Sequence, residues 1–437
     1  MTDVSYFKDR FEQLQGASPD SEIAKMRLEG FDSFSSVGLP SLRNEEWKYT
    51  NISSLFDKEY HVAAVDEKPV LNLSDVDSIR LPGHSGANEL VFVNGRFIPM
   101  FSTIRSPGNQ LTVVPLEDAA NGVYKELVKE HLGQSGKYVK DGIHALNTSF
   151  IYGGVFIHIA KGQQLEHPVY LYYLSDAREH HTLSQPRSLI YAAEGSKLQL
   201  VETYQTIGGS DSFTNQVMEV VVNDNTHFEY YKLQNDTANA NQVSTTHIRQ
   251  AGRSYVHAVT ITLNGGMIRN NMNLVLDATG NETHLYGLYM LKGHTHTDNH
   301  TLVDNRRPNC FSNQLYKGIV DDKATAVFNG KIMVQPDAQK TNAYQSNKNI
   351  LLSDQASINT KPQLEIFADD VKCSHGCTVG QLDETALFYL RARGIPKENA
   401  QAMLLQAFAA DILAQVKPEL LREHIRQLIT AQLFNDK

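Results

Sequence analysis

The run Val371-Lys372-Cys373-Ser374-His375-Gly376-Cys377-Thr378-Val379-Gly380 holds the residue types best suited to chemistry in this chain. In an extended backbone Cys373, His375 and Cys377 face the same way and span about 13 Å end to end. That is too far for a disulfide between the two thiols, and too stretched for one tetrahedral ion held by all three. Thiolate and imidazole suit zinc, copper or the iron of an iron–sulfur cluster. A centre here would therefore draw further ligands from elsewhere, a second chain being the natural source. The same residues also read as two ordinary buried thiols and a hydrogen-bonded histidine.

A second candidate is Gly293-His294-Thr295-His296-Thr297-Asp298-Asn299-His300. In a strand His294, His296, Asp298 and His300 share one face, with the threonines on the other. Two neighbours could chelate one ion but four could not, and a polar ladder is the simpler reading. Gly133-Gln134-Ser135-Gly136-Lys137-Tyr138 looks like a phosphate loop but lacks its spacing and hydroxyl, so no ATP site is expected in this chain. Neither a Gly-x-Ser-x-Gly elbow nor a His-Glu-x2-His helix is present.

These residues must be placed by three kinds of element. Residues 1–80 read as a helical N-terminal region, with Tyr6, Phe7, Phe11, Leu14, Ile23, Met26, Phe31 and Phe34 at helical intervals. The single tryptophan, Trp47, sits among charges and reads as a packing anchor. Residues 81–380 form a β core of short alternating runs such as Leu198–Tyr204, Tyr255–Leu263 and Thr283–Met290. No proline interrupts the chain between Pro186 and Pro308. Asparagines between Asp211 and Thr360, 20 in all, suit tight turns. A sandwich pair and a parallel β-helix both fit. Asn-Gly pairs are few, Asn94-Gly95, Asn264-Gly265 and Asn329-Gly330 among them, which favours the β-helix, although no fixed repeat is visible.

Residues 381–437 return to helical period. Leu382, Ala386, Leu387 and Leu390 form one stripe, stopped by Gly394-Ile395-Pro396. Met403, Leu404, Ala407, Phe408 and Ala410 form a second; Leu420, Leu421, Ile425, Leu428 and Ile429 form a third. Such faces would cap the end of the solenoid or bind a partner.

Composition narrows the function further. Of 437 residues, 40 are Lys or Arg and 49 Asp or Glu, a net charge of −9 that makes nucleic acid a poor partner. No run of 18 apolar residues offers a membrane span. The first ten residues mix charges where a signal peptide needs an apolar stretch. Cys310, Cys373 and Cys377 read as free thiols in a reducing compartment, with the cytoplasm expected.

Several longer runs carry a resemblance. They are Arg43-Asn44-Glu45-Glu46-Trp47-Lys48-Tyr49-Thr50, Asn147-Thr148-Ser149-Phe150-Ile151-Tyr152-Gly153-Gly154, Gln314–Ile319 and Gln339–Ala343. The most specific is Asn359-Thr360-Lys361-Pro362-Gln363-Leu364-Glu365-Ile366-Phe367-Ala368-Asp369-Asp370, which leads straight into Cys373-Ser374-His375-Gly376. Together they resemble the SufB/SufD family of iron–sulfur cluster assembly scaffolds, on its SufD side, since the His-Glu-Ala run of SufB is absent here. The resemblance implies a mainly β fold, a right-handed parallel β-helix between helical ends. It implies a non-catalytic scaffold in a cytoplasmic complex with SufB and the ATPase SufC. SufB would pair along the last β-helix strands and SufC would dock on the C-terminal helices, with a homodimer possible for the isolated chain. His375 would serve as a metal ligand to a transient iron–sulfur cluster shared with the partner chain, with Cys373 beside it. Cys377, where the family run continues with Ala, reads as an incidental small buried residue. The competing functions are a secreted-type polysaccharide-active β-helix enzyme and a zinc-dependent hydrolase built on His294–His300. The sequence shows neither an acidic or Ser-His site for the first nor a companion base for the second.

Overall fold

The structure, a computed structural model, describes residues 4–17, 22–65 and 67–434. The alternating runs form strands such as Lys197–Ile207, Ser212–Val222, His227–Asn235 and Ala240–Gln250, continuing to Ser357–Ile366 and Lys372–Gly380. Each long strand pairs in parallel with the next but one in sequence, so two sheets rise side by side. The result is a parallel β-helix of about eight turns, flanked by N- and C-terminal helices. Glu282, Phe311, Asn342 and Lys372 stand in one column although the spacing between them differs from coil to coil. That variation hides the repeat from the sequence.

Two expectations about turns need correction. Asn215, Asn270, Asn271, Asn299, Asn347 and Asn349 lie inside strands and are buried, while Asn225 and Asn309 occupy left-handed turn positions. Asn94-Gly95 closes a true hairpin between Asn88–Val93 and Arg96–Phe97, whereas Asn329-Gly330 lies mid-strand.

The interior explains the buried amides. Along one half of the lumen Leu200, Tyr230, Ala258, Leu274 and Leu285 stack as an apolar core. The other half is polar. Lys232 Nζ lies 3.1 Å from Glu202 Oε1 and donates to Ser244 Oγ at 2.8 Å; the Tyr204 and Tyr230 hydroxyls donate to that same carboxylate oxygen. Gln234 donates to Gln242 and Asn270, and Asn270 to Asn299. An ion pair buried this deeply is held by its hydrogen bonds as much as by its charges.

Helices cover the two outer flanks. Val4–Ala17 and Glu22–Val37 pack Phe7, Phe11 and Phe34 in one cluster with Phe56 of the short helix Ser53–Asp57 and with Phe213 and Val243 on one sheet. Lys397–Leu413 and Glu419–Phe434 pack Leu405, Ala409, Ile412, Leu421 and Ile425 on Val259, Ile261, Leu288 and Ile319 of the other. The buried stripe of the helix Lys397–Leu413 is thus Ala402, Leu405, Ala409 and Ile412. Met403, Ala407 and Ala410 of the expected stripe are exposed, and Phe408 is half-buried. In a helix with apolar residues on most sides, sequence period alone does not select the covered face. Nor do these helices cap the solenoid end; they clasp its side. His257 donates to Gln415 C=O at 2.8 Å, Lys417 pairs with Glu229 at 2.9 Å and Lys317 donates to Phe408 C=O at 2.8 Å. At the N-terminal end of the solenoid the sheets finish on short antiparallel strands, Arg96–Phe97 and Leu111–Pro115.

Three buried histidines set a pH limit. His144 lies 2.9 Å from Ser135 Oγ, His247 lies against the Tyr138 ring at a 37° tilt, and His257 is pinned to Gln415. Burial pushes each imidazole down to about 4. Folded, they stay neutral to about pH 4; unfolded, they take up protons below about pH 6.5. The unfolded state therefore binds more protons across that window, and their stabilisation, complete above it, is lost as pH falls. Melting temperature should drop from about pH 7 to about pH 5, with a shallower slope in His257→Gln, which keeps an N–H donor. A flat profile would show that these rings are hydrated.

Candidate functional site

The far end of the solenoid is open. Lys372–Gly380 pairs on one side with Asn342–Leu351, and Ser357–Ile366 with Thr325–Val334; among the described residues neither has a partner on its other side. Lys372 N–H donates to Thr341 C=O, Asn342 N–H to Cys310 C=O and Phe311 N–H to Asn281 C=O, so outward-facing residues bond back to the preceding coil. Backbone direction alternates along a strand. Cys373, His375 and Cys377 consequently aim their own N–H and C=O groups at the open end. On the companion strand Pro362 takes an equivalent position, pairing in register with Gly330, and offers a carbonyl but no N–H.

The side chains follow the same alternation. Cys373, His375 and Cys377 stand in register with Ala343, Gln345 and Asn347, all buried in the lumen. The row therefore shares one face, as the spacing predicts. Cys373 is half-buried against Ile332, Val334, Ala338 and Ala343, and burial pushes its thiol up. His375 and Cys377 are exposed. The expectation that Cys377 is an incidental buried residue is thus corrected: among the described residues no further coil covers it. All three cysteines are free thiols, Cys310 being buried at a turn. Among the described residues no three His, Cys, Asp or Glu side chains converge as a metal-binding group. At neighbouring strand positions the row offers an ion two adjacent ligands at most, leaving coordination incomplete within one chain.

Beneath His375 lies a feature that sequence reasoning missed. Gln345 Nε2 donates to Gln314 Oε1 at 3.0 Å, and Gln314 Nε2 donates in turn to Thr301 Oγ1. Gln345 Oε1 is buried with no partner. A Cβ at Gly330 would come within 2.1 Å of Gln345 Nε2, so that glycine makes room for the amide. The available signal was the alternation of Gln345, Asn347 and Asn349 with exposed residues, a polar lumen face that mimics a solvated one.

The His294–His300 stretch is a latch. His294 lies in the turn before the strand His296–Asn305, outside the expected row. Thr50 Oγ1 donates to Asp298 at 2.5 Å and lies 2.9 Å from His296 Nε2, which must then be the donor to it. His300 pairs with Asp298 at 3.0 Å and approaches Glu46 at 3.4 Å. The His300 hydrogen bond holds the Glu46 carboxyl down at about 2. Trp47 is buried as an anchor, its Nε1 donating to Asp141 and its ring 4.0 Å from the Arg269 guanidinium. Glu45 reaches Lys361 on the terminal coil at 2.5 Å. The charged run around Trp47 is therefore a strap tied across several coils, and His296 and His300 are engaged in tying it.

Similarity to known proteins extends over the same architecture. The SUF system FeS cluster assembly SufBD core domain matches residues 173–408, and the SufBD protein N-terminal region matches residues 4–171. The chain belongs to the SufBD family. An iron–sulfur cluster assembly SufBD family protein of Synechocystis is 31% identical over 430 residues, covering 96% of this chain and 93% of that protein. The iron–sulfur cluster assembly protein SufD of Escherichia coli is 30% identical over 408 residues, covering 91% and 90%. The SufD of Bacillus subtilis is 24% identical over 449 residues, covering 98% and 97%. Among the described residues of this SufBD protein, no helix is long and apolar enough to cross a membrane.

The thiols give a direct check on the geometry. Under native conditions an alkylating reagent should modify Cys377 first, Cys373 more slowly and Cys310 only on unfolding, because access falls in that order and burial raises the Cys373 and Cys310 thiols. An intrachain Cys373–Cys377 disulfide in fresh protein would mean that the terminal strand is not extended.

Proposed function

We propose that this chain is a non-catalytic scaffold for de novo iron–sulfur cluster assembly in the cytoplasm, working with a SufB-like scaffold and a SufC-like ATPase. The observation that carries this reading is the row of Cys373, His375 and Cys377 on an unpaired strand edge, incomplete within one chain. A SufB-like chain laid against the edge would satisfy its N–H and C=O groups and bring the missing ligands. Gly376 supports that partner. A Cβ there would meet nothing within 4 Å in this chain, so the strand leaves room at that position for an approaching chain. The cluster is cargo, held transiently through His375, with Cys373 as the nearest thiol. The isolated chain can pair with a second copy through the same edge.

The nucleotide chemistry belongs to the partner. In Gly133–Lys137 the Gly133 and Ser135 N–H groups donate to the chain's own Glu219 carboxylate at 2.8 and 2.7 Å, and Arg187 pairs with that carboxylate. The anion cradle is filled from within. A SufC-like ATPase would dock on the outer face of the C-terminal helices, where Phe388 is 73% exposed and Tyr389 and Met403 are also bare. Free thiols at the open end fit a reducing compartment.

In His375→Ala the complex should still fold and assemble, with stability lowered by at most about 1–3 kcal/mol for a buried partner of the ring left unpaired, while cluster recovered per complex falls severalfold. A stable variant that loads fully would sink the role of His375. Phe388→Asp should weaken co-purification of the ATPase while leaving SufB pairing and melting temperature unchanged; undiminished ATPase binding would move the docking site elsewhere.

A further inference from the structure

We infer that Gln345 is a positioning residue for His375: its Oε1 accepts the N–H of the core-facing ring nitrogen and so fixes the tautomer that leaves the other nitrogen's lone pair at the open end. The inference rests on the reading of His375 as a metal ligand and adds a residue that sets its state.

Direction in the amide ladder carries the argument. Gln345 gives its N–H to Gln314, and Gln314 gives its own to Thr301, so both amides point their donors inward. An amide whose nitrogen is turned to the coil below has its carbonyl oxygen turned the other way, toward the coil above, whatever use its second N–H finds. That acceptor, Gln345 Oε1, is buried and unpartnered, although Gln345 is only 3% exposed. An orphaned buried carbonyl is costly and calls for a donor. His375 stands directly in register with Gln345 on the next coil, at the ordinary inter-strand spacing of about 4.8 Å. Cys373 and Cys377 lie over Ala343 and Asn347 in the same way, so His375 is the member of the row placed to supply the N–H.

Gly330 is the second part of the device. With a Cβ there, the Gln345 amide nitrogen would be met at 2.1 Å and the Phe328 ring at 2.9 Å. The neighbouring sheet thus leaves a notch in which the amide lies across the lumen. A neutral imidazole binds a metal through one nitrogen only, and the hydrogen bond made by the other decides which one is free. Without Gln345 the ring would average between tautomers and rotate at an exposed strand edge.

Nitrogen-15 NMR of the imidazole in the isolated, metal-free chain tests this without any cluster. Wild-type His375 should show one pyrrole-like and one pyridine-like nitrogen, a single tautomer. Gln345→Leu should collapse these toward an averaged pair, and Gln345→Glu, still an acceptor, should restore the wild-type pattern. Should Gln345→Leu fail to fold, Gly330→Ala displaces the amide from the other sheet and should give the same averaging. An averaged wild-type ring, or a Gln345→Leu spectrum identical to wild type, overturns the inference. A tautomer fixed by Gln345 in a protein whose His375→Ala form still loads cluster would uphold it and defeat the proposed role of His375 instead.

Discussion

Every coil of this protein is held by the one before it through a backbone that alternates its direction of bonding. Outward-facing residues such as Phe311, Asn342 and Lys372 give their N–H groups backwards, and inward-facing residues keep theirs for the coil to come. The pattern runs up the stack to Lys372–Gly380 and Ser357–Ile366, which have no partner on their outer side among the described residues. The residues left with unsatisfied backbone are the same ones whose side chains look along the lumen. Thiol, imidazole and free hydrogen-bonding groups therefore coincide because one geometric parity controls both.

The interior serves that end as well. A lumen filled only with aliphatic side chains would stack coils equally well, as its apolar half does. The polar half instead runs amide to amide, through Gln234, Asn270 and Asn299 in the middle and Thr301, Gln314 and Gln345 near the mouth. Buried polar groups are tolerated only when paired. Within each run one amide orients the next, and the run nearest the mouth ends on Gln345, beneath His375.

Much of this was legible in the sequence. Period-two alternation marked the strands, and the spacing of Cys373, His375 and Cys377 put them on one face with too great a span for one ion. Trp47 read correctly as an anchor because an indole flanked by charges needs a buried bed with a hydrogen-bond partner, here Arg269 and Asp141. What was hidden depended on neighbours many residues away. Asn270 and Asn299 looked like turn formers because nothing local shows that their amides meet across two coils. The covered face of the helix Lys397–Leu413 was misjudged because alanines and leucines surround it, and the choice was made by Val259, Ile261 and Leu288. Cys377 looked buried because the sequence does not mark where the stack ends.

The two ends of the solenoid are unlike. One finishes on Arg96–Phe97 and Leu111–Pro115, short strands running against their neighbours, and the other on a parallel edge broken by Pro362. A β-stack with two matching edges is a fibre in waiting, since each added copy regenerates the surface that recruited it. Here a chain that paired with the open edge would use that surface up without regenerating it, because its own distal end has the wrong strand sense, and growth would stop at two. This asymmetry lets the protein leave a row of unpaired backbone exposed without seeding aggregates of itself.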